Sequence, residues 1–164
     1  MKDTGIREAC TPELLTATLD IRLAGRYSQP AMPKRILVIE DERNVRAVIQ
    51  KRLEASGYQV FTAADGLDGL ELARMKKPDL IVLDLMLPKL DGNSVCRELR
   101  NDPDCSKIPI LMLTGRTREK EIRQGIMEGA NLYMTKPFRH EQLLESISEL
   151  LLNAEREAAI RSAM

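Results

Sequence analysis

The chain predicts an α/β fold, a doubly wound parallel sheet with helices on both faces. Three observations point there. Aliphatic runs recur along residues 34–153, the stretches between them carry helix-period apolar stripes, and three of the runs are almost uninterrupted. Near-continuous aliphatic runs of that length are the pattern of strands covered on both faces.

In chain order the runs are "ILVI" (36–39), "YQVFTA" (58–63), "LIVL" (80–83), "IPILML" (108–113) and "NLYM" (131–134). Val45, Val48, Ile49 and Leu53 make one helical stripe after the first run. Leu143, Leu144, Ile147, Leu150 and Leu151 make another after the last. Gly57, Gly66, the pair Asp91-Gly92 and Gly129 punctuate the segments between. Strand followed by helix, five times over, calls for parallel strands with crossover helices.

The flanks read differently. Residues 1–33 form an extension and linker, with a short helix expected over 12–24. Thr11 is its N-cap, Pro12 opens the first turn, and Leu14, Leu15, Leu19 and Leu23 precede the stop at Gly25. That helix either packs through Leu15, Leu19 and Leu23, or the natural beginning is "MPKRILVIEDE" with Met32 as its start. Residues 154–164 continue the last helix as an extension with a thin apolar stripe.

Bulk properties exclude several classes. A chain of 164 residues suits one domain with additional segments. Lys and Arg total 25, as do Asp and Glu, so no general electrostatic pull draws the chain to nucleic acid or anionic membrane. No apolar run approaches the roughly 20 residues of a membrane helix. The start "MKDTGIREAC" lacks the apolar centre of a secretory signal, so the expected setting is cytoplasmic. Cys10, Cys96 and Cys105 lack metal-ligand spacing and read as free thiols. His140 is the single histidine, which argues against a histidine metal site or a Ser–His triad, and it reads as an ordinary surface residue.

The chemistry gathers at the ends of the runs. Glu40 and Asp41 close the first, Asp84 the third, Thr114 the fourth, and Lys136-Pro137 follows the fifth. In a doubly wound sheet those ends share one edge, where ligands bind near the switch in strand order. Three close carboxylates repel, and Mg²⁺, which prefers oxygen ligands, is the natural cation among them. One carboxylate then serves as a nucleophile on phosphorus, while a Lys and a Thr bind the phosphoryl oxygens. Alone, Asp84 reads as a strand-end turn residue, Thr114 as a cap, Lys136 as a surface lysine and the acidic run as a solvated helix start. Their convergence is what argues otherwise.

At these residues the chain resembles the response-regulator receiver family, the CheY-like phosphoacceptor domains of two-component signalling. The motifs are "ILVIEDE", "DLIVLDLMLPKLDG", "IPILMLTG" and "YMTKPF", in family order and spacing over about residues 34–153. The resemblance implies a flavodoxin-like (βα)5 sandwich with strand order 2-1-3-4-5. It makes Asp84 the phosphoacceptor and assigns Glu40, Asp41, Asp84 and the backbone carbonyl of Met86 to Mg²⁺, or Mn²⁺. Thr114 and Lys136 become the phosphoryl-binding pair, Thr114 and Tyr133 the switch, and Lys136–Pro137 a cis peptide. Glu40 stands where many members carry Asp, a frequent variant.

The function implied is a phosphorylation-controlled switch. A sensor histidine kinase or histidine phosphotransfer protein donates to Asp84, and a protein-binding surface changes for a downstream target. The domain catalyses its own phosphorylation and dephosphorylation, with no turnover of an outside substrate. A haloacid-dehalogenase phosphatase expects a second Asp where Met86 stands, and a nucleotide-binding domain expects a P-loop or G-x-G-x-x-G. A receiver-like binding module without phosphorylation is the remaining different class. The basic run Arg116, Arg118, Lys120 and Arg123 is interrupted by Glu119 and Glu121, so direct nucleic-acid binding and membrane insertion are not expected. Asn131 and Leu132 replace two aspartates usual in receivers of winged-helix regulators, and arguments for their mode of dimerisation weaken, although a homodimer stays open. The reading is a single-domain response regulator, with a receiver from a longer regulator as the runner-up.

Overall fold

The structure is a computed structural model that describes residues 32–115, 123 and 126–164. The expected short helix at 12–24, Cys10, and Arg116, Arg118 and Lys120 lie outside the described residues. The strands are β1 (Arg35–Ile39), β2 (Gln59–Ala63), β3 (Leu80–Asp84), β4 (Ile110–Thr114) and β5 (Leu132–Thr135). Among the described residues the helices are α1 (Arg43–Ala55), α2 (Gly66–Lys76), α3 (Gly92–Asn101) and α4 (His140–Ala163). All strand pairs are parallel, and the sheet order is β2-β1-β3-β4-β5, as expected.

Alternation along each strand splits the core in two. Leu37, Ile39, Ile81, Leu83, Ile110 and Met112 face α2 and α3, with Leu70, Ala73, Val95 and Leu99 packed on them. Ile36, Val38, Leu80, Val82, Leu111 and Leu113 face α1 and α4, meeting Ile49, Leu53, Leu143, Ile147 and Leu151. The period of two in side-chain direction makes this division. Each fully buried aliphatic contributes about 1.5–3 kcal/mol, so the three central strands form the rigid centre of the domain. Of the α1 stripe, Ile49 and Leu53 are buried, whereas Val48 is 59% exposed. It lies on the flank of the helix, beside a groove shared with Val45, Phe138 and His140.

The helices on the α2–α3 face start where their sequences provide caps. Asp65 accepts from the Asp68 amide (2.9 Å), and Asp91 accepts from the Ser94 amide (3.0 Å) and hydroxyl (2.7 Å). Cys96 and Cys105 are buried free thiols, as the sequence suggests.

Register brings the strand ends level. Ile39 pairs with Leu83, so Glu40 and Asp84 leave their strands side by side. Asp84 pairs with Leu113 and Thr114 with Thr135, which sets Thr114 and Lys136 one step further along the same edge.

Gly92 completes this arrangement by close approach. A Cβ there would overlap the Asp84 carbonyl oxygen and lie 2.8 Å from the Leu85 Cα, both backbone atoms. Alanine at a helix start gains up to about 1 kcal/mol in propensity, but overpacking against backbone costs about 1–3 kcal/mol. Gly92→Ala is therefore expected to lose about 1–2 kcal/mol of stability, read as a lower urea midpoint with an unchanged slope.

Candidate functional site

The edge at the ends of β1, β3, β4 and β5 collects the residues expected from the sequence. Glu40, 1% exposed, and Asp84, 5% exposed, are buried polar groups, whereas Asp41 is exposed. Ligand oxygens of Glu40, Asp41 and Asp84 all lie within 4.8 Å of one another. Lys136 Nζ donates to Glu40 Oε2 at 2.6 Å and to Asp84 Oδ2 at 3.1 Å.

Each side chain is held from a second direction. Glu40 Oε1 accepts from the Glu42 amide (3.2 Å), and Asp84 Oδ1 accepts from the Met86 amide (3.2 Å). The Lys136 amide donates to the Thr114 carbonyl (2.7 Å), tying together the two residues expected to bind a phosphoryl group. Thr114 is buried at the tip of β4, and the Lys136–Pro137 peptide is cis. Tyr133 packs half-buried against the α2–α3 core, and its hydroxyl is buried without a hydrogen-bond partner among the described residues. The Met86 side chain is exposed.

Charge is unbalanced here. Burial pushes the Glu40 carboxyl up to about 7; the Lys136 hydrogen bond opposes the rise and the Asp84 charge adds to it. Burial acts to lower the Lys136 ammonium, but the Glu40 hydrogen bond and the Asp84 and Glu40 charges outweigh it, and the net shift is upward. The Lys136 ammonium engages Glu40 and Asp84, and Asp41 lies beside them; the three acidic side chains are all oxygen donors. Such a donor set fits a hard cation such as Mg²⁺.

The family of response regulator receiver domains matches residues 36–148. The chain belongs to this family.

Three similar proteins set the scale of the likeness. The receiver is 46% identical over 124 residues to the alkaline phosphatase synthesis transcriptional regulatory protein PhoP of Bacillus subtilis, covering 76% of this chain and 51% of that protein. It thus spans about half the length of the curated relatives it matches. A putative response regulator from Chloroflexus aurantiacus superposes with a TM-score of 0.70 at 32% identity, over 73% of this chain and 98% of that one. The receiver domain of a sensor histidine kinase from Pseudomonas aeruginosa, with a magnesium ion in its active-site cleft, gives 0.68 at 31% identity over 73% and 98%.

Sequence reasoning missed two supports of the receiver's site. Lys89, in a left-handed conformation (φ 66), donates to Asp65 Oδ2 at 2.6 Å and pins the β3–α3 loop to the start of α2. Beside it, the Leu90 carbonyl occupies the place a Cβ on Gly66 would take. Arg46 donates to the backbone carbonyls of Glu40 (2.6 Å) and Asp41 (3.1 Å). An arginine in the first turn of α1, against the helix dipole, was the signal available for the second.

Glu40 gives a pH signature. Its folded value lies above the ordinary carboxylate value of 4.5, so its contribution to stability is fully present below that value and is lost as pH rises to about 7. Without metal, the melting temperature is expected to fall across this window from Glu40, and Glu40→Gln to flatten that component. Thermal melts in EDTA across the window make the comparison.

Proposed function

We propose that this receiver is a phosphorylation switch whose phosphoacceptor is Asp84. The observation that carries the reading is a buried Asp84 carboxylate at the end of β3, hydrogen-bonded to Lys136 and grouped with Glu40 and Asp41. Such a carboxylate serves as a nucleophile where positive groups balance the charge that develops on phosphorus.

The donor is the phosphoimidazole of a sensor histidine kinase or histidine phosphotransfer protein. An Asp84 oxygen attacks phosphorus, the P–N bond breaks, and its electron pair leaves on the imidazole nitrogen. Glu40, Asp41, Asp84 and the Met86 carbonyl hold Mg²⁺, or Mn²⁺ in its place, which when bound supplies positive charge against the phosphoryl oxygens. Lys136 gives up part of its bond to Asp84 and neutralises a phosphoryl oxygen, and the Thr114 hydroxyl donates to another. Drawing Thr114 inward couples the site to Tyr133 on the adjacent strand, so that added charge at Asp84 alters the surface around β5.

The domain acts on itself, phosphorylating and dephosphorylating Asp84 without turnover of an external substrate. Its output is contact with a downstream protein in the cytoplasm, as monomer or homodimer, without direct contact with nucleic acid. Among the described residues no helix is long and apolar enough to cross a membrane. A second reading rests on the curated relatives, of which the chain spans about half. In it the receiver is one part of a longer regulator and controls an output segment of the same polypeptide.

Incubation with acetyl phosphate, followed by intact-protein mass, tests the switch. A single phosphoryl adduct is expected that requires both Mg²⁺ and Asp84 and is absent from Asp84→Asn. A folded wild type that binds Mg²⁺ and gains no adduct would instead support a receiver-like binding module.

A further inference from the structure

Helix α1 begins with its acidic residues before the first turn rather than within it. Its N-cap, Glu42, makes no side-chain capping bond, and its first turn holds no acidic residue. Arg43 and Arg46 stand there instead, at the helix end whose dipole disfavours cations. By contrast, α2 and α3 leave the same edge with their capping aspartates engaged. The loop that carries Glu40 and Asp41 is held by different means.

Arg46 supplies them. Its amide stays within the helix and donates to the Glu42 carbonyl (2.9 Å), while its side chain turns back over the loop. There Nη1 donates to the carbonyls of Glu40 (2.6 Å) and Asp41 (3.1 Å). Hydrogen bonds from a charged donor are roughly twice as strong as neutral ones, which offsets the misplaced charge. The sheet's last tether on this strand is the Glu40 amide, bonded to the Ala63 carbonyl (3.1 Å). Past that point Arg46 fastens the backbone of both acidic residues to α1. Asp41 is exposed, so its backbone has the larger share in placing its carboxylate.

We propose that Arg46 is a positioning residue for the acidic pair: by clamping the Glu40 and Asp41 carbonyls it keeps their carboxylates at the spacing that receives a divalent cation. This deepens the reading of Glu40, Asp41 and Asp84 as Mg²⁺ ligands and rests on it. Charge and position predict opposite outcomes. Acting only as a charge, a guanidinium beside a dication site opposes the cation, and its removal tightens binding. Acting as a clamp, it orders the ligands, and its removal weakens binding.

The test titrates Mg²⁺ alone into the full chain, as wild type, Arg46→Met, Arg46→Gln and Arg46→Lys, followed by NMR amide shifts. Thermal melts in EDTA establish that each variant is folded, and acetyl phosphate labelling is timed across Mg²⁺ concentrations. Supports of metal ligands typically change affinity by about 10–100-fold when removed, so Arg46→Met and Arg46→Gln are expected to raise the Mg²⁺ dissociation constant about tenfold. Labelling at saturating Mg²⁺ stays near wild type while the Mg²⁺ needed for half the rate rises. Arg46→Lys, which keeps charge and a donor, falls between. Unchanged or tighter Mg²⁺ binding in a folded Met or Gln variant overturns the proposal. If wild type itself shows no Mg²⁺ binding that depends on Asp84, the underlying metal reading falls, and the clamp falls with it.

Discussion

Lys136 meets Glu40 and Asp84 from 96 and 52 residues away in sequence, and without its ammonium this edge of the sheet would bury like charges with nothing between them. Leaving a buried charge uncompensated by removing its partner costs about 3–5 kcal/mol. The scaffold must therefore deliver the lysine and both carboxylates to one place with little freedom. Parallel register does this, because Ile39 pairs with Leu83 and Thr114 with Thr135, and the chain leaves four strands at matching heights.

Rigidity behind the edge comes from a sheet packed on both faces. Strands β3 and β4 are buried along their whole length, so their tips inherit fixed positions from close packing. The loops beyond the tips are fastened separately. Lys89 and Asp65 tie the β3–α3 loop to α2, Gly92 lets the start of α3 press against the Asp84 backbone, and Arg46 holds the Glu40–Asp41 turn. Three local devices thus support one site, each where strand pairing has ended.

Burial makes the stability of this edge depend on pH. It pushes the Glu40 carboxyl up to about 7, with the Asp84 charge adding to the rise. At β5, Tyr133 buries a hydroxyl that has no hydrogen-bond partner among the described residues, which carries a desolvation cost. Asn131 is committed elsewhere. Its Oδ1 accepts from the Ile110 amide (2.8 Å) and Arg100 Nη2 (2.9 Å), and Arg100 also binds the Gly129 and Ile108 carbonyls. The residue at this position is therefore used inside the domain, to join α3 to the start of β5.

Much of this was legible in one dimension. Aliphatic runs and 3.6-residue stripes depend on local spacing, so the strands and the helices α1 and α4 could be read directly, as could the assembly of Glu40, Asp84, Thr114 and Lys136 on one edge. The family motifs supplied the strand order. Exposure of Val48 was not legible, because a stripe marks a helix face without saying how wide a band the sheet covers. Neither was the work of Arg46, Lys89 or Gly92. Their partners are backbone carbonyls and a side chain on neighbouring loops, brought near by tertiary approach. Local pattern determined which residues could meet; strand register and loop packing decided which atoms touch, and so where charge is balanced and where it is left in excess.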